Sequence, residues 1–190
     1  MGKIVVSDNV SLDGVVQDPA GNEGFRLGGW VGPLKDRQDL SKLALDEALG
    51  AEALLLGRRS YEFFAALWPP RSGELADRLN SLPKYVVSAT RQDPLWSNAT
   101  VLGGDVVAAI AALKQEVDGE ILVYASYQLV RTLIEHDLVD ELRLVIFPVV
   151  LGSGERLFGD TGDAKPLRLV GVQTIGDALA YVTYRAAGAP

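Results

Sequence analysis

The sequence predicts an α/β fold, in which a mainly parallel central sheet lies between helical layers and ends in an antiparallel extension. Three observations carry this expectation. Strand-length apolar runs alternate with segments of helical period up to about residue 137. Beyond that point, strand-like segments follow one another with no helix between them, as in antiparallel sheet. The run Ala53-Leu54-Leu55-Leu56 is wholly apolar, which marks a strand covered on both faces. At 190 residues, one domain over 1–190 is expected.

The elements follow in order. Ile4 to Ser7 reads as a first strand, broken by the polar run Ser7-Asp8-Asn9. Asp36 to Leu49 places Leu40, Leu43, Ala44 and Ala48 on one helical face and stops at Gly50, a residue suited to a helix C-terminus. Ala53 to Leu56 is the next strand. Ser60 to Leu67 is a helix stopped by Pro69-Pro70, and Glu74 to Leu82 a second one stopped by Pro83. Tyr85 to Ser88 and Thr100 to Leu102 read as strands. Asp105 caps a helix reaching Val117, whose stripe is Val106, Ile110, Leu113 and Val117. Ile121 to Ala125 is a buried strand. Ser126 is the expected cap of a helix carrying Leu129, Val130, Leu133 and Ile134. Leu142 to Val150, Leu167 to Thr174 and Ala180 to Arg185 complete the sheet. These last strands are long and apolar, and edges of that kind are usually paired or covered, so a homodimer is expected.

Composition removes several chemistries. The chain has no Cys and one His, His136, which excludes thiolate nucleophiles, disulfides and multi-His metal centres, and no metal site is expected. Lys and Arg number 18 against 25 Asp and Glu, a formal charge of −7, which argues against a nucleic-acid partner. The first residues form neither a signal peptide nor a membrane span, so a cytoplasmic protein with a small-molecule substrate and no membrane partner is expected. His136 closes a helix, where a cation is favoured by the helix dipole.

In sheets of this kind ligands bind at the carboxyl ends of the parallel strands. After Leu56 comes Gly57-Arg58-Arg59-Ser60-Tyr61 at a helix start, where glycine, free N–H groups and two guanidiniums suit an anion; surface ion pairing of the two arginines is the alternative. After the next strand, Ser88-Ala89-Thr90-Arg91 repeats the same logic and suits an adenosine 2′-phosphate, hence NADPH rather than NADH. The turn Ala125-Ser126 offers N–H groups to a pyrophosphate. Gly152-Ser153-Gly154 lacks the third glycine of a dinucleotide fingerprint and is read as a loop. Trp30, between Gly28-Gly29 and Gly32-Pro33, is placed to act as part of a ligand lid.

These motifs, in this order, resemble the dihydrofolate reductase-like superfamily, and most closely the group holding the reductase domain of the bifunctional riboflavin-biosynthesis deaminase/reductase. The resemblance rests on Ser11-Leu12-Asp13-Gly14, Leu56-Gly57-Arg58-Arg59-Ser60-Tyr61, Val87-Ser88-Ala89-Thr90-Arg91, the helix from Ser126, Leu138-Val139-Asp140-Glu141-Leu142, and Pro148-Val149-Val150-Leu151-Gly152-x-Gly154. It implies an NADPH-dependent reductase of small heterocyclic or carbonyl substrates. Gly57, Arg58, Arg59, Ser60, Ser88, Thr90, Arg91, Ala125 and Ser126 would hold the cofactor, and the loop from Leu12 to Val16 would lie beside the nicotinamide. Ala125 stands where the family usually has glycine. The resemblance further implies a substrate site among Asp13, Trp30, Asp36 and Trp68, with Asp36 or Asp13 as the acid. A non-catalytic nucleotide- or phosphate-binding module on the same fold is the alternative.

Overall fold

The computed structural model describes residues 1–32, 37–90 and 95–188. The chain runs β1 (Lys3–Ser11), α1 (Arg37–Gly50), β2 (Ala51–Gly57), α2 (Arg58–Leu67), α3 (Glu74–Ser81), β3 (Lys84–Val87) and β4 (Ala99–Leu102). It continues with α4 (Val106–Glu116), β5 (Glu120–Tyr124), α5 (Tyr127–Glu135), β6 (Glu141–Phe147), β7 (Leu167–Ile175) and β8 (Leu179–Ala186). The eight strands form one sheet in the order β4-β3-β2-β5-β1-β6-β8-β7. β1 to β6 are parallel, and β8 and β7 are antiparallel additions. The expected α/β architecture, a mainly parallel sheet with an antiparallel C-terminal extension, is therefore present.

Alternation of side chains along the strands divides the core into two layers. Leu54 and Leu56 join Ala48 of α1, Tyr61 of α2 and Leu79 of α3 on one face. Leu55 joins Ile110 and Leu113 of α4, and Leu129, Val130 and Leu133 of α5, on the other. A third cluster, Trp30, Val145, Phe147, Leu179 and Tyr181 with Leu40 and Leu43, extends the α1 face toward the antiparallel strands.

β1 exceeds its expected length by four residues at its carboxyl end. Asp8, Asn9, Val10 and Ser11 stay in the strand because β6 runs alongside them, pairing Asp8 with Leu144 through Ser11 with Phe147. Pairing to a neighbour overrides the poor strand preference of Asp and Asn. Ala125 leaves β5 earlier than expected. It and Ser126 take left-handed backbone, with φ of 50° and 60°. Asp105 caps α4 as expected, accepting from the Ala108 amide at 3.0 Å. Ser126 does not cap α5 with its side chain, since its hydroxyl is used elsewhere.

Candidate functional site

The topology brings three strand-to-helix or strand-to-loop turns together. β2, β5 and β1 are neighbours, so the turns after β2 and β5 meet over the sheet's carboxyl edge. There they lock to each other. The Gly57 N–H donates to Ser126 Oγ at 3.0 Å, the Ser126 N–H donates to Ser60 Oγ at 2.9 Å, and the Ser126 hydroxyl donates to the Tyr124 carbonyl at 3.0 Å. A Cβ on Gly57 would stand 3.7 Å from the Ser126 side chain, ordinary van der Waals contact, so the two turns pack closely without depending on glycine there. Arg58 reaches the third turn, its Nη1 donating to Thr90 Oγ1 at 3.2 Å. Ser88 is buried below, and its Oγ accepts from the Thr90 amide at 3.3 Å. Gly57, Arg58, Ser60, Ser88, Thr90, Ala125 and Ser126 therefore share one edge of the molecule.

Other expected residues are placed differently. Arg59 pairs with Glu23 of the loop after β1, 3.5 Å distant, an exposed pair of small energetic weight. Arg91 and Asp36 lie outside the described residues. Trp68 closes α2 at the helix end opposite Arg58, about 15 Å along its axis, where its carbonyl accepts from Asn80. Its assignment to the substrate site is thus corrected, because α2 carries it away from the strand ends. Tyr61, in the same motif, is fully buried, and its hydroxyl accepts from the Trp96 amide at 2.7 Å.

The segment between β1 and α1 is pinned from within. Asp18, 2% exposed and left-handed at φ 49°, accepts from the amides of Asn22 (2.7 Å), Glu23 (3.0 Å) and Phe25 (3.1 Å). Its carbonyl receives the amides of Gly21 and Gly29. Gly28 leaves room for the carboxylate, since a Cβ there would come within 2.3 Å of Oδ2. Trp30 sits edge-on to Phe147 at 5.4 Å and donates through Nε1 to the Gln17 carbonyl at 2.9 Å. Expected as part of a mobile lid, Trp30 is instead a core anchor of the loop, 7% exposed. Val16 is likewise buried, and its amide donates to Glu155 O at 2.9 Å.

Asp13 clasps this loop to the segment after β6. It accepts from the Ser11 hydroxyl at 2.7 Å and from the amides of Leu151 and Gly152 at 3.1 and 2.9 Å. The Ser11 bond first, and then the two amides, hold its pKa down at about 2. These three bonds make Asp13 a clasp between the Leu12–Val16 loop and the segment after β6. The Gly152–Gly154 loop, expected only as a connection, closes the same edge through these amides and through an antiparallel bridge between Val15 and Arg156.

Two carboxylates that the sequence reading did not single out lie on β1's flanks. Asp8 has one carboxylate oxygen bonded by the Asn9 amide at 2.9 Å and the other buried with no partner. Burial lifts its pKa to about 7, against the opposing pull of that amide. Glu47, on α1, is buried and receives three hydroxyls: Ser7 at 2.9 Å, Tyr124 at 3.1 Å and Tyr181 at 3.0 Å. Both had a readable signal. Asp8 interrupts an apolar strand, and Glu47 falls on the stripe of Leu40, Leu43, Ala44 and Ala48, a charge on a buried helical face. Among the described residues, no group of three His, Asp or Glu is placed to hold a metal, and no helix is long and apolar enough to cross a membrane.

Comparison with known proteins agrees with this geometry. The family model for the RibD C-terminal domain matches residues 2–181. The chain belongs to the RibD C-terminal domain family. This is a family of oxidoreductase type, and the riboflavin-reductase resemblance read from the sequence is thereby shown. A relative, the Bacillus subtilis protein YyaP, is 30% identical over 138 residues, 70% of this chain and 73% of its own. A riboflavin-biosynthesis protein structure from Shewanella sp. PV-4 superposes with a TM-score of 0.77 at 22% identity, covering 97% of this chain and 98% of that one. Dihydrofolate reductase from Enterococcus faecalis, complexed with NADP(H), gives 0.63 at 14% identity, covering 97% and 96%. These two likenesses establish the fold.

Proposed function

We propose that this RibD C-terminal domain family member is an NADPH-dependent reductase of a small heterocyclic or carbonyl substrate. The observation that carries the reading is the mutual locking of the Gly57–Ser60 and Ala125–Ser126 turns, with Arg58 bridging to Thr90, over the carboxyl ends of adjacent strands. That arrangement suits a dinucleotide's phosphates: helix-start amides from α2 and α5, hydroxyls from Ser60, Ser88 and Thr90, and the exposed Arg58 guanidinium beside them. The donor set therefore fits NADPH, with Arg91 assigned to the 2′-phosphate alongside Arg58. Bound NADPH supplies a hydride; the protein orients the acceptor and provides the accompanying proton. The substrate side would lie between the Leu12–Val16 loop, Trp30 and α1, with Asp36 as a substrate-binding carboxylate.

Isothermal titration tests this reading. Arg58→Ala should weaken NADPH about tenfold, equivalent to the roughly 1.4 kcal/mol of one charge-assisted contact, while NADH loses much less. Equal losses for both cofactors would exclude the 2′-phosphate assignment. One observation favours the alternative, a non-catalytic nucleotide binder: Ala125 carries a methyl on left-handed backbone where glycine is unhindered. NADPH binding without loss of its absorbance, across pteridine, pyrimidine and carbonyl acceptors, would decide for that alternative.

A homodimer through β7 completes the proposal. This nine-residue edge strand is exposed along almost its whole length, including Leu167, Leu169, Val170 and Val172. An edge so long and apolar favours pairing with a second copy. Val172→Lys should convert the protein to a monomer in light scattering; wild-type protein that is already monomeric at micromolar concentration would refute the assignment.

A further inference from the structure

The polar cluster around Glu47 is a buried group of titratable side chains that the cofactor site does not use. It gathers residues from four elements: Glu47 of α1, Ser7 of β1, Tyr124 of β5 and Tyr181 of β8. Ser7 and Tyr124 face each other across the β1–β5 pairing, and Tyr124 is the last residue of β5. The cluster therefore sits at the carboxyl end of β5, beside the middle of β1, on the α1 face and one residue before the Ala125–Ser126 turn. Ser7, Glu47 and Tyr181 are buried, whereas Tyr124 is half-buried and directly precedes the left-handed Ala125–Ser126 turn.

The hydrogen bonds identify two states of this cluster. The Tyr124 hydroxyl has one proton but two acceptors within reach, Glu47 Oε2 at 3.1 Å and the Ala44 carbonyl at 3.3 Å. With Glu47 ionised, the hydroxyls of Ser7, Tyr124 and Tyr181 all donate to it. With Glu47 protonated, its own O–H donates to the Tyr124 oxygen, and Tyr124 donates to Ala44 O instead. A backbone acceptor is thus already in place for the protonated form. The charged group facing the cluster from β6, Arg143, is itself paired with Glu120 at 2.7 Å and Glu141 at 2.6 Å. Burial, the largest effect, raises the Glu47 pKa; the hydroxyls of Ser7 and Tyr181, Arg143 and the Tyr124 hydroxyl oppose it. Burial and the Glu47 charge also raise the pKa of both tyrosines, so neither ionises near neutrality.

We propose that Glu47 is a positioning residue that stores the proton of the reduction and delivers it through the Tyr124 hydroxyl to the substrate. The inference rests on the reductase reading above. As hydride adds to the carbon of a C=N or C=O bond, the nitrogen or oxygen takes the Tyr124 proton, Tyr124 takes the proton of Glu47 Oε2, and Glu47 is left ionised among three donating hydroxyls. NADPH is oxidised, the substrate double bond is reduced, and solvent returns one proton to Glu47. This assigns the acid to the carboxyl-terminal half of α1, apart from Asp36 and Asp13.

Infrared difference spectroscopy of the ligand-free protein at pH 7 reads the stored proton directly. Wild-type minus Glu47→Gln should show the carbonyl stretch of a protonated carboxylic acid; its absence means an ionised Glu47 and overturns the inference. With any acceptor the enzyme reduces, Glu47→Gln should lower kcat on the order of 10²-fold, leave the NADPH dissociation constant unchanged, and remove the alkaline decline of the wild-type rate. Tyr124→Phe should give a similar loss, with no further loss in the double variant. Wild-type rates in either variant overturn the inference. NADPH that fails to bind wild-type protein, or binds without turnover, overturns the reductase reading instead, and the infrared result still decides whether Glu47 holds a proton. If Glu47→Gln does not fold, Tyr124→Phe and the wild-type pH profile carry the test.

Discussion

Asp18→Ala should destabilise the protein by about 3 kcal/mol and release the whole segment between β1 and α1. Three backbone amides lose their acceptor at once, those of Asn22, Glu23 and Phe25. Each such bond to a charged group contributes roughly 1.5–3 kcal/mol, and local relaxation recovers part of the sum. For a chain of this length, that corresponds to a fall in Tm of about 6–12 °C. Asp18→Asn should cost less, since asparagine tolerates left-handed backbone and keeps one acceptor oxygen. Hydrogen exchange gives the sharper readout: in Asp18→Ala, amides across 17–30 should exchange faster while those of β2 and β5 do not. Uniform acceleration throughout the molecule would show that Asp18 supports the core rather than the loop. Released from Gln17 and Phe147, Trp30 should also gain exposure and shift its fluorescence to the red.

Asp8→Asn should remove a pH dependence of stability that the wild type carries on β1. Burial raises the folded-state pKa of Asp8 to about 7 from 3.8. Between these values the unfolded chain has released the proton that the folded chain keeps. The stability contributed by the protonated group is therefore full below pH 4, falls as pH rises toward 7, and does not change further above it. The loss amounts to roughly 4 kcal/mol, about 1.4 kcal/mol for each pH unit between 3.8 and about 7, and Asp8 Oδ2 is the buried oxygen without a partner. Urea unfolding of both proteins at pH 5 and pH 8 measures it, because subtracting the variant cancels the other carboxylates. Asp8→Asn should gain on the wild type as pH rises; an identical difference at both values would mean that Asp8 ionises normally in the fold.

Much of the architecture is legible because its signals are local. Asp105 before Val106 is a cap by residue type alone, and it bonds Ala108 as that type predicts. The alternation of Leu54, Leu55 and Leu56 between two core layers follows from strand geometry. The strand-end turns were readable for the same reason, since Gly57-Arg58-Arg59-Ser60 has the composition of an anion site wherever it occurs. What could not be read depends on partners distant in sequence. Arg59 pairs with Glu23, 36 residues away in sequence. Trp68 is removed from the site by the direction of α2, which composition does not reveal. Ser126 looks like a helix cap, yet its hydroxyl serves Gly57, 69 residues away. Glu47 and Asp8 were visible as charges in apolar patterns, but only the fold shows that one meets three hydroxyls and the other has a bare oxygen.

The locked turns bear on how an anionic ligand would approach. Because the Gly57 and Ser126 amides are already satisfied by Ser126 and Ser60, the two turns do not depend on a ligand to hold their shape. Attraction then falls to the exposed Arg58 and its neighbours, on a chain whose formal charge is −7. A polyphosphate would meet long-range repulsion first and short-range attraction last. Added salt screens the repulsion over distances of about 10 Å and beyond, and it weakens the final contact at the guanidinium as well. Encounter and retention therefore respond to ionic strength in opposite directions, with the fastest arrival and the longest stay found in different buffers.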